Sequence, residues 1–110
     1  MTRSNLYITL TDGRKLQCVA DSSSAPEQGY IVEQLLMPLL SFGNAEQELA
    51  LIGEHCCIDE LRINATYRYT IDLKKKEVCF YEENYDYKTD TFKKGRDLST
   101  RYKNYQNSLR

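Results

Sequence analysis

The sequence predicts an α+β domain: an antiparallel sheet of about four strands, in the order ββααββα, covered on one face by two or three helices. Three observations carry that prediction. Residues 61–73 alternate without a break, with Leu61, Ile63, Ala65, Tyr67, Tyr69, Ile71 and Leu73 apolar or aromatic and the residues between them polar. Successive strand side chains point to opposite faces, so this period of two implies one long strand with a dry side and a wet side. Residues 5–20 alternate in the same way around Asp12-Gly13, whereas Ile31, Val32, Leu35, Leu36, Leu39 and Leu40 follow helical spacing.

A two-residue turn at Asp12-Gly13 would put the apolar sets of the first hairpin on opposite faces. A three-residue loop, Thr11-Asp12-Gly13, with Gly13 left-handed, pairs Ile8 with Leu16 and Leu6 with Cys18, and this is the expected register. After a Ser-rich loop from Asp21, Ser24 as cap with Pro26 and Glu27 starts the main apolar helix, which Pro38 should kink. Asn44 with Gln47 caps a second helix with Ala45, Leu49, Ile52 and Cys56 on one side. Lys74-Lys75-Lys76 turns the long strand into a return strand from Glu77 to about Glu83, with Val78 and Phe80 facing the core to match Leu73 and Ile71, in preference to a register with Cys79, Tyr81 and Tyr85 facing it, and with Glu82 and Glu83 at a solvated margin. Residues 84–96 read as an extended loop anchored by Tyr85, Tyr87 and Phe92. Asp97 then caps a last helix with the stripe Leu98, Tyr102, Tyr105 and Leu109.

Size and composition bound the function. The 110 residues fit a single domain, 1–110, able to bury roughly 65% of its unfolded surface. With 41% hydrophobic and 28% charged residues, the chain is not disordered throughout. No apolar run approaches the ~20 residues of a membrane span, and the N-terminal residues alternate instead of forming a signal-peptide block. The expectation is a cytoplasmic protein with no membrane partner, whose four cysteines (Cys18, Cys56, Cys57 and Cys79) stay reduced.

Catalytic and metal constellations are sparse, and no catalytic residue, metal ligand or cofactor is assigned. His55 is the only histidine, which excludes multi-histidine sites, and adjacent residues on a helix point about 100° apart, so neither Cys56 nor Cys57 faces it. The glycines are scattered singly, so no phosphate-cradling loop exists. A thiolate site drawing on Cys18, Cys56 or Cys57, Cys79 and His55 lacks ligand spacing and ranks third among the readings.

Charge is the stronger signal. Residues 1–64 carry four Lys/Arg against nine Asp/Glu, and residues 84–110 carry seven against three, within a net charge of −1. The basic end interleaves with tyrosines, as a single-strand nucleic-acid site requires. Candidate binding residues are Arg62, Arg68, Tyr81, Lys88, Lys93, Lys94, Arg96, Arg101 and Lys103. Arg62 and Arg68, with Asn64, Thr70, Tyr7 and Tyr81, would share the outer sheet face. The first expectation is a small non-enzymatic interaction or regulatory module acting through protein contacts or self-association, the latter by a long edge strand pairing with its copy. Nucleic-acid binding by the basic Tyr-rich region is the alternative.

Overall fold

The first hairpin forms in the register that its hydrophobic pattern demands. In the computed structural model, which describes residues 3–20 and 24–108, β1 (Ser4–Thr9) and β2 (Lys15–Ala20) pair antiparallel with Ile8 opposite Leu16 and Leu6 opposite Cys18. Gly13 takes φ +93°, the left-handed conformation the turn requires, and its N–H donates to the Leu10 carbonyl at 2.9 Å. Farther along, β4 (Tyr67–Asp72) and β5 (Glu77–Asp86) place Ile71 opposite Val78 and Tyr69 opposite Phe80, two residues from the expected match with Leu73 and Ile71; a shift of two keeps the face, so Val78 and Phe80 do face the core.

The class is mixed α+β, but the sheet is larger than expected and is not purely antiparallel. Among the described residues six strands run in the order β3-β2-β1-β4-β5-β6, with β1 and β4 parallel. One added strand is β3 (Cys57–Ile58), at the β2 edge. The other, β6 (Thr91–Asp97), lies in the stretch expected to be loop. Its Lys-rich, Gly-containing sequence suits an edge strand, where charge discourages pairing with other chains. Gly95 sits at a bulge in which a Cβ would lie 2.6 Å from Asn84 Nδ2 and 2.9 Å from Glu82 Cβ, so only glycine fits.

The long strand is also shorter than its alternation implies. Residues 61–66 are irregular, with Ile63 49% exposed and Ala65 buried. Their backbone is captured elsewhere: Arg62 exchanges bonds with the Asn5 side chain, and the Thr66 N–H donates to the Arg3 carbonyl at 2.9 Å. The segment after β3 therefore crosses one face of β2 and β1 to reach β4.

The helices cover the other face. The first, α1 (residues 30–41), has a π segment Val32–Leu36 followed by an α segment Met37–Ser41. Pro38 has no N–H and its ring crowds the carbonyl four residues back, and the wide turn before it, closed by Met37 N–H to Val32 O, accommodates both. Ser24 does not cap this helix. Its hydroxyl bonds Ser4 Oγ at 2.7 Å and its carbonyl accepts from Tyr69 OH at 2.7 Å, while a 3₁₀ turn (Pro26–Gln28) precedes Gly29 at φ +86°. The second helix, α2 (Ala45–His55), is capped as expected, Asn44 Oδ1 accepting from the N–H groups of Glu46 and Gln47. Its Glu48 is fully buried and holds the first hairpin turn, accepting from Thr11 N–H at 3.1 Å and Thr11 Oγ1 at 3.0 Å. The last helix, α3 (Ser99–Ser108), follows Asp97, whose carboxylate accepts from Ser99 N–H at 2.8 Å. Of its expected stripe, Tyr102 is buried and Leu98 and Tyr105 pack partly, while Leu109, like Asp21 of the expected loop, lies outside the described residues.

One continuous core results, with Leu6, Ile8, Cys18, Tyr69, Ile71 and Phe80 of the sheet meeting Ile31, Leu35, Leu36, Leu39, Ile52 and Tyr102 of the helices. Among the described residues no helix is long and apolar enough to cross a membrane. Tyr102 is 3% exposed and its hydroxyl has no hydrogen-bond partner among the described residues, while burial pushes its pKa up to about 12. A buried hydroxyl left unmatched costs about 1–3 kcal/mol, so Tyr102→Phe is expected to raise the urea midpoint. Because burial disfavours the ionised phenol, Tyr102 adds no pH dependence below about pH 10, and the fold loses stability as pH rises between about pH 10 and 12, where the phenol ionises in the unfolded chain first. The Phe variant should lose stability less steeply across that window, and an unchanged midpoint and slope would contradict this account.

Candidate functional site

The pairing registers lay out the outer sheet face, the side that carries no helix among the described residues. Val19, Asn5, Arg68 and Tyr81 form one row across β2, β1, β4 and β5, and Gln17, Tyr7, Thr70 and Cys79 form the next. Beyond them Glu83 stands opposite Lys94 and Tyr85 opposite Phe92 on the β5–β6 ribbon. The crossing segment seals one end, where Val19 and Asn5 are fully buried.

At the centre lies a polar cluster. Glu83 has no side-chain exposure and Arg68 only 14%, and they form an ion pair at 2.9 Å through Arg68 Nε and Glu83 Oε1. Glu83 Oε2 accepts from Asn5 Nδ2 at 2.9 Å and from Tyr7 OH at 3.1 Å, and Tyr7 OH in turn accepts from Arg68 at 3.2 Å. The guanidinium stacks on the Tyr7 ring 4.3 Å from its centroid. Burial, reinforced by the Glu83 charge and opposed by Arg68, pushes Tyr7 up to about 12. A phenol held in that direction donates a hydrogen bond and does not act as a base at neutral pH.

Around this centre the face is aromatic. Lys94 Nζ sits 4.6 Å from the Tyr81 ring centroid, and Tyr85 packs edge-on against both Phe92 and Tyr87 at 4.9 Å. Beside Tyr7 runs a groove of about 510 Å³ lined by residues including Gln17, Thr70, Lys15 and Asp59.

The nine sequence-derived binding residues do not converge on one surface. Arg68, Tyr81 and Lys94 share the outer face. Arg62 lies on the crossing segment and pairs with Glu60 at 2.7 Å. Lys93 pairs with Asp86 at 3.3 Å and Arg96 with Glu82 at 2.9 Å. Arg101 and Lys103 lie on α3, where Arg101 forms a two-pronged contact with Glu27 at 2.8 Å and stacks on Tyr67. Lys88 is exposed in the β5–β6 turn. The cysteines are likewise divided: Cys18 points into the core, whereas Cys79 pairs with Thr70 on the outer face. His55 Nδ1 is engaged by Tyr30 OH at 2.5 Å. Self-pairing of the long strand is closed off as well, because β4 is interior, between β1 and β5.

Sequence reasoning missed Asn5 and placed Glu83 at a solvated margin, where the structure buries it. The usable signal was phase: Glu83 alternates with Tyr81 and Tyr85, opposite in sense to Val78 and Phe80, which puts a carboxylate on the same face as Arg68 of the neighbouring strand.

Removing one partner of a buried ion pair leaves an uncompensated charge and typically costs about 3–5 kcal/mol, whereas replacing both by apolar groups costs far less. Arg68→Ala should therefore destabilise the protein by roughly 3 kcal/mol, and Arg68→Met combined with Glu83→Leu should recover most of that loss in urea unfolding. Equal losses for the single and double variants would mean that the pair is not the feature holding this face. Compared with protein families, curated proteins and solved structures, the chain matches none.

Proposed function

We propose that this chain is a non-enzymatic interaction module of the cytoplasm whose open sheet face docks a protein partner. The observation that carries the reading is that all three helices pack on one side of a six-stranded sheet, while the other side presents Tyr7, Tyr81, Tyr85 and Phe92 with Arg68 and Lys94. Tyrosine and arginine are the side chains that anchor protein interfaces, being large, stiff and able to bond at their tips. The cytoplasmic placement draws support from four cysteines of which none is disulfide-bonded.

Nucleic acid fits this face less well. Phosphate binding needs unneutralised cations in a row, yet Lys93, Arg96 and Arg101 each have a carboxylate partner and Arg68 is spent on Glu83.

The test compares protein captured by the wild-type chain, by Tyr81→Ala with Tyr85→Ala, and by Lys75→Ala, which alters an exposed turn residue. Specific protein retained by the wild type and by Lys75→Ala, but lost in the double variant at unchanged thermal midpoint, is the expected result. Identical capture by all three overturns the reading. So does tight binding of a labelled single-stranded oligonucleotide that weakens steeply with salt.

A further inference from the structure

The outward edge of β2 is only partly paired. In an antiparallel ladder alternate residues present their N–H and C=O to each neighbour. The Leu10 N–H donates to the Arg14 carbonyl at 2.8 Å, so even-numbered residues of this stretch face β1. The Asp59 N–H donates to the Gln17 carbonyl at 2.7 Å, so odd-numbered residues face the other way. On that outer side β3 pairs only with Cys18 and Val19. The N–H groups of Gln17 and Lys15, and the Lys15 carbonyl, therefore point outward with no backbone partner among the described residues. The chain could have continued along them, but Asp59 adopts φ +64°, a left-handed conformation that turns it onto the outer face instead.

Two further observations say what fits there. The 510 Å³ groove lies along the same three residues, Lys15, Leu16 and Gln17, and is lined also by Tyr7 and Thr70. Lys15 and Asp59 both line it, Asp59 at the end where β3 stops and Lys15 at the far end of β2. The opposite sheet edge, β6, is guarded by Lys93, Lys94 and Arg96 around its bulge. The β2 edge carries a single lysine and a half-buried Leu16.

We infer that an extended segment of the protein partner adds as a strand antiparallel to β2, beside Lys15–Gln17, continuing the line of β3. This deepens the reading proposed above and rests on it. Main-chain bonds to Gln17 and Lys15 supply affinity, and alternate side chains enter the groove beside Tyr7. The direction fixes the order of charges. An antiparallel segment starts beside Asp59 and ends beside Lys15, so it carries a basic side chain or free amino group first and an acidic side chain two or more residues later. A parallel segment would need the reverse order.

The probe is a set of peptides of roughly twelve residues, selected from a displayed random library against the full chain and titrated by amide NMR. Gln17→Pro removes the outward N–H without breaking a bond the protein itself makes, and Gln17→Ala keeps it. The expected result is enrichment of peptides with the basic-then-acidic order, slowed exchange at the Lys15 and Gln17 amides on binding, and affinity about tenfold lower for Gln17→Pro but not for Gln17→Ala, the loss of one matched main-chain bond. Should Gln17→Pro fold poorly, the wild-type amide exchange and the charge swap Lys15→Asp with Asp59→Lys decide, the swap selecting peptides of reversed order. Peptides that bind without slowing those two amides, or with equal affinity for the Pro and Ala variants, overturn strand addition while leaving the open-face reading standing. Failure to enrich any peptide overturns it too, and the capture experiment with Tyr81 and Tyr85 then judges the open-face reading separately.

Discussion

The parallel ladder between β1 and β4 joins a hairpin at the start of the chain to a meander near its end, in a register that sets Leu6 beside Tyr69 and Ile8 beside Ile71. Neither half could bury α1 alone. Leu6 and Ile8 on one side and Tyr69, Ile71 and Phe80 on the other together make the apolar surface that Ile31, Leu35, Leu36 and Leu39 cover. A parallel pair cannot be closed by a tight turn. Everything between Ala20 and Tyr67 is therefore the connection that this contact imposes, with two helices on one side and a crossing strap on the other.

That connection leaves the sheet asymmetric. On the helical side, side chains are aliphatic and interlocked; on the other, tyrosines surround a buried salt bridge. Burying Glu83 beneath a surface otherwise open to solvent is tolerable because Arg68, Asn5 and Tyr7 satisfy both of its oxygens. Three adjacent strands contribute to that arrangement, so it fixes the relative placement of β1, β4 and β5 from the face opposite the core. Specificity of register is a reasonable return for the desolvation it entails.

What could be read from the sequence was local. The register of the first hairpin and the inward face of the second were legible because a slip of one residue would have turned Leu6, Ile8, Val78 and Phe80 into water, whereas the second register was missed because a shift of two residues leaves the same side chains on the dry face. The cap at Asn44 and the trouble at Pro38 were legible because backbone chemistry at those residue types is nearly independent of context. The parallel β1–β4 contact was not, since no residue in either strand names a partner some sixty positions away. Strand β6 was hidden because Lys, Gly and Asp are poor strand formers, and a neighbouring strand's ladder overrode that preference. Alternation over 61–66 misled because period two was present without any strand for that stretch to pair with. The outer-face cluster inherits these difficulties: Asn5, Tyr7, Arg68 and Glu83 each look unremarkable until the global strand order puts them side by side.

The Asn5 carboxamide, which bonds both the N–H and the carbonyl of Arg62, gives the crossing strap an unusual mechanical character. A side chain plays the part of one rung of a ladder there, and the next backbone bond to another segment, from the Thr66 N–H to the Arg3 carbonyl, lies where the strap enters β4. Detaching that rung would unseat residues 60–65 and wet Val19 while leaving the strand pairing intact, a subglobal opening whose free energy lies well below that of complete unfolding. Native-state fluctuations of this molecule would then concentrate on the side away from its helices, and the half-life of the strap's closed state, more than overall stability, would govern how often that side rearranges.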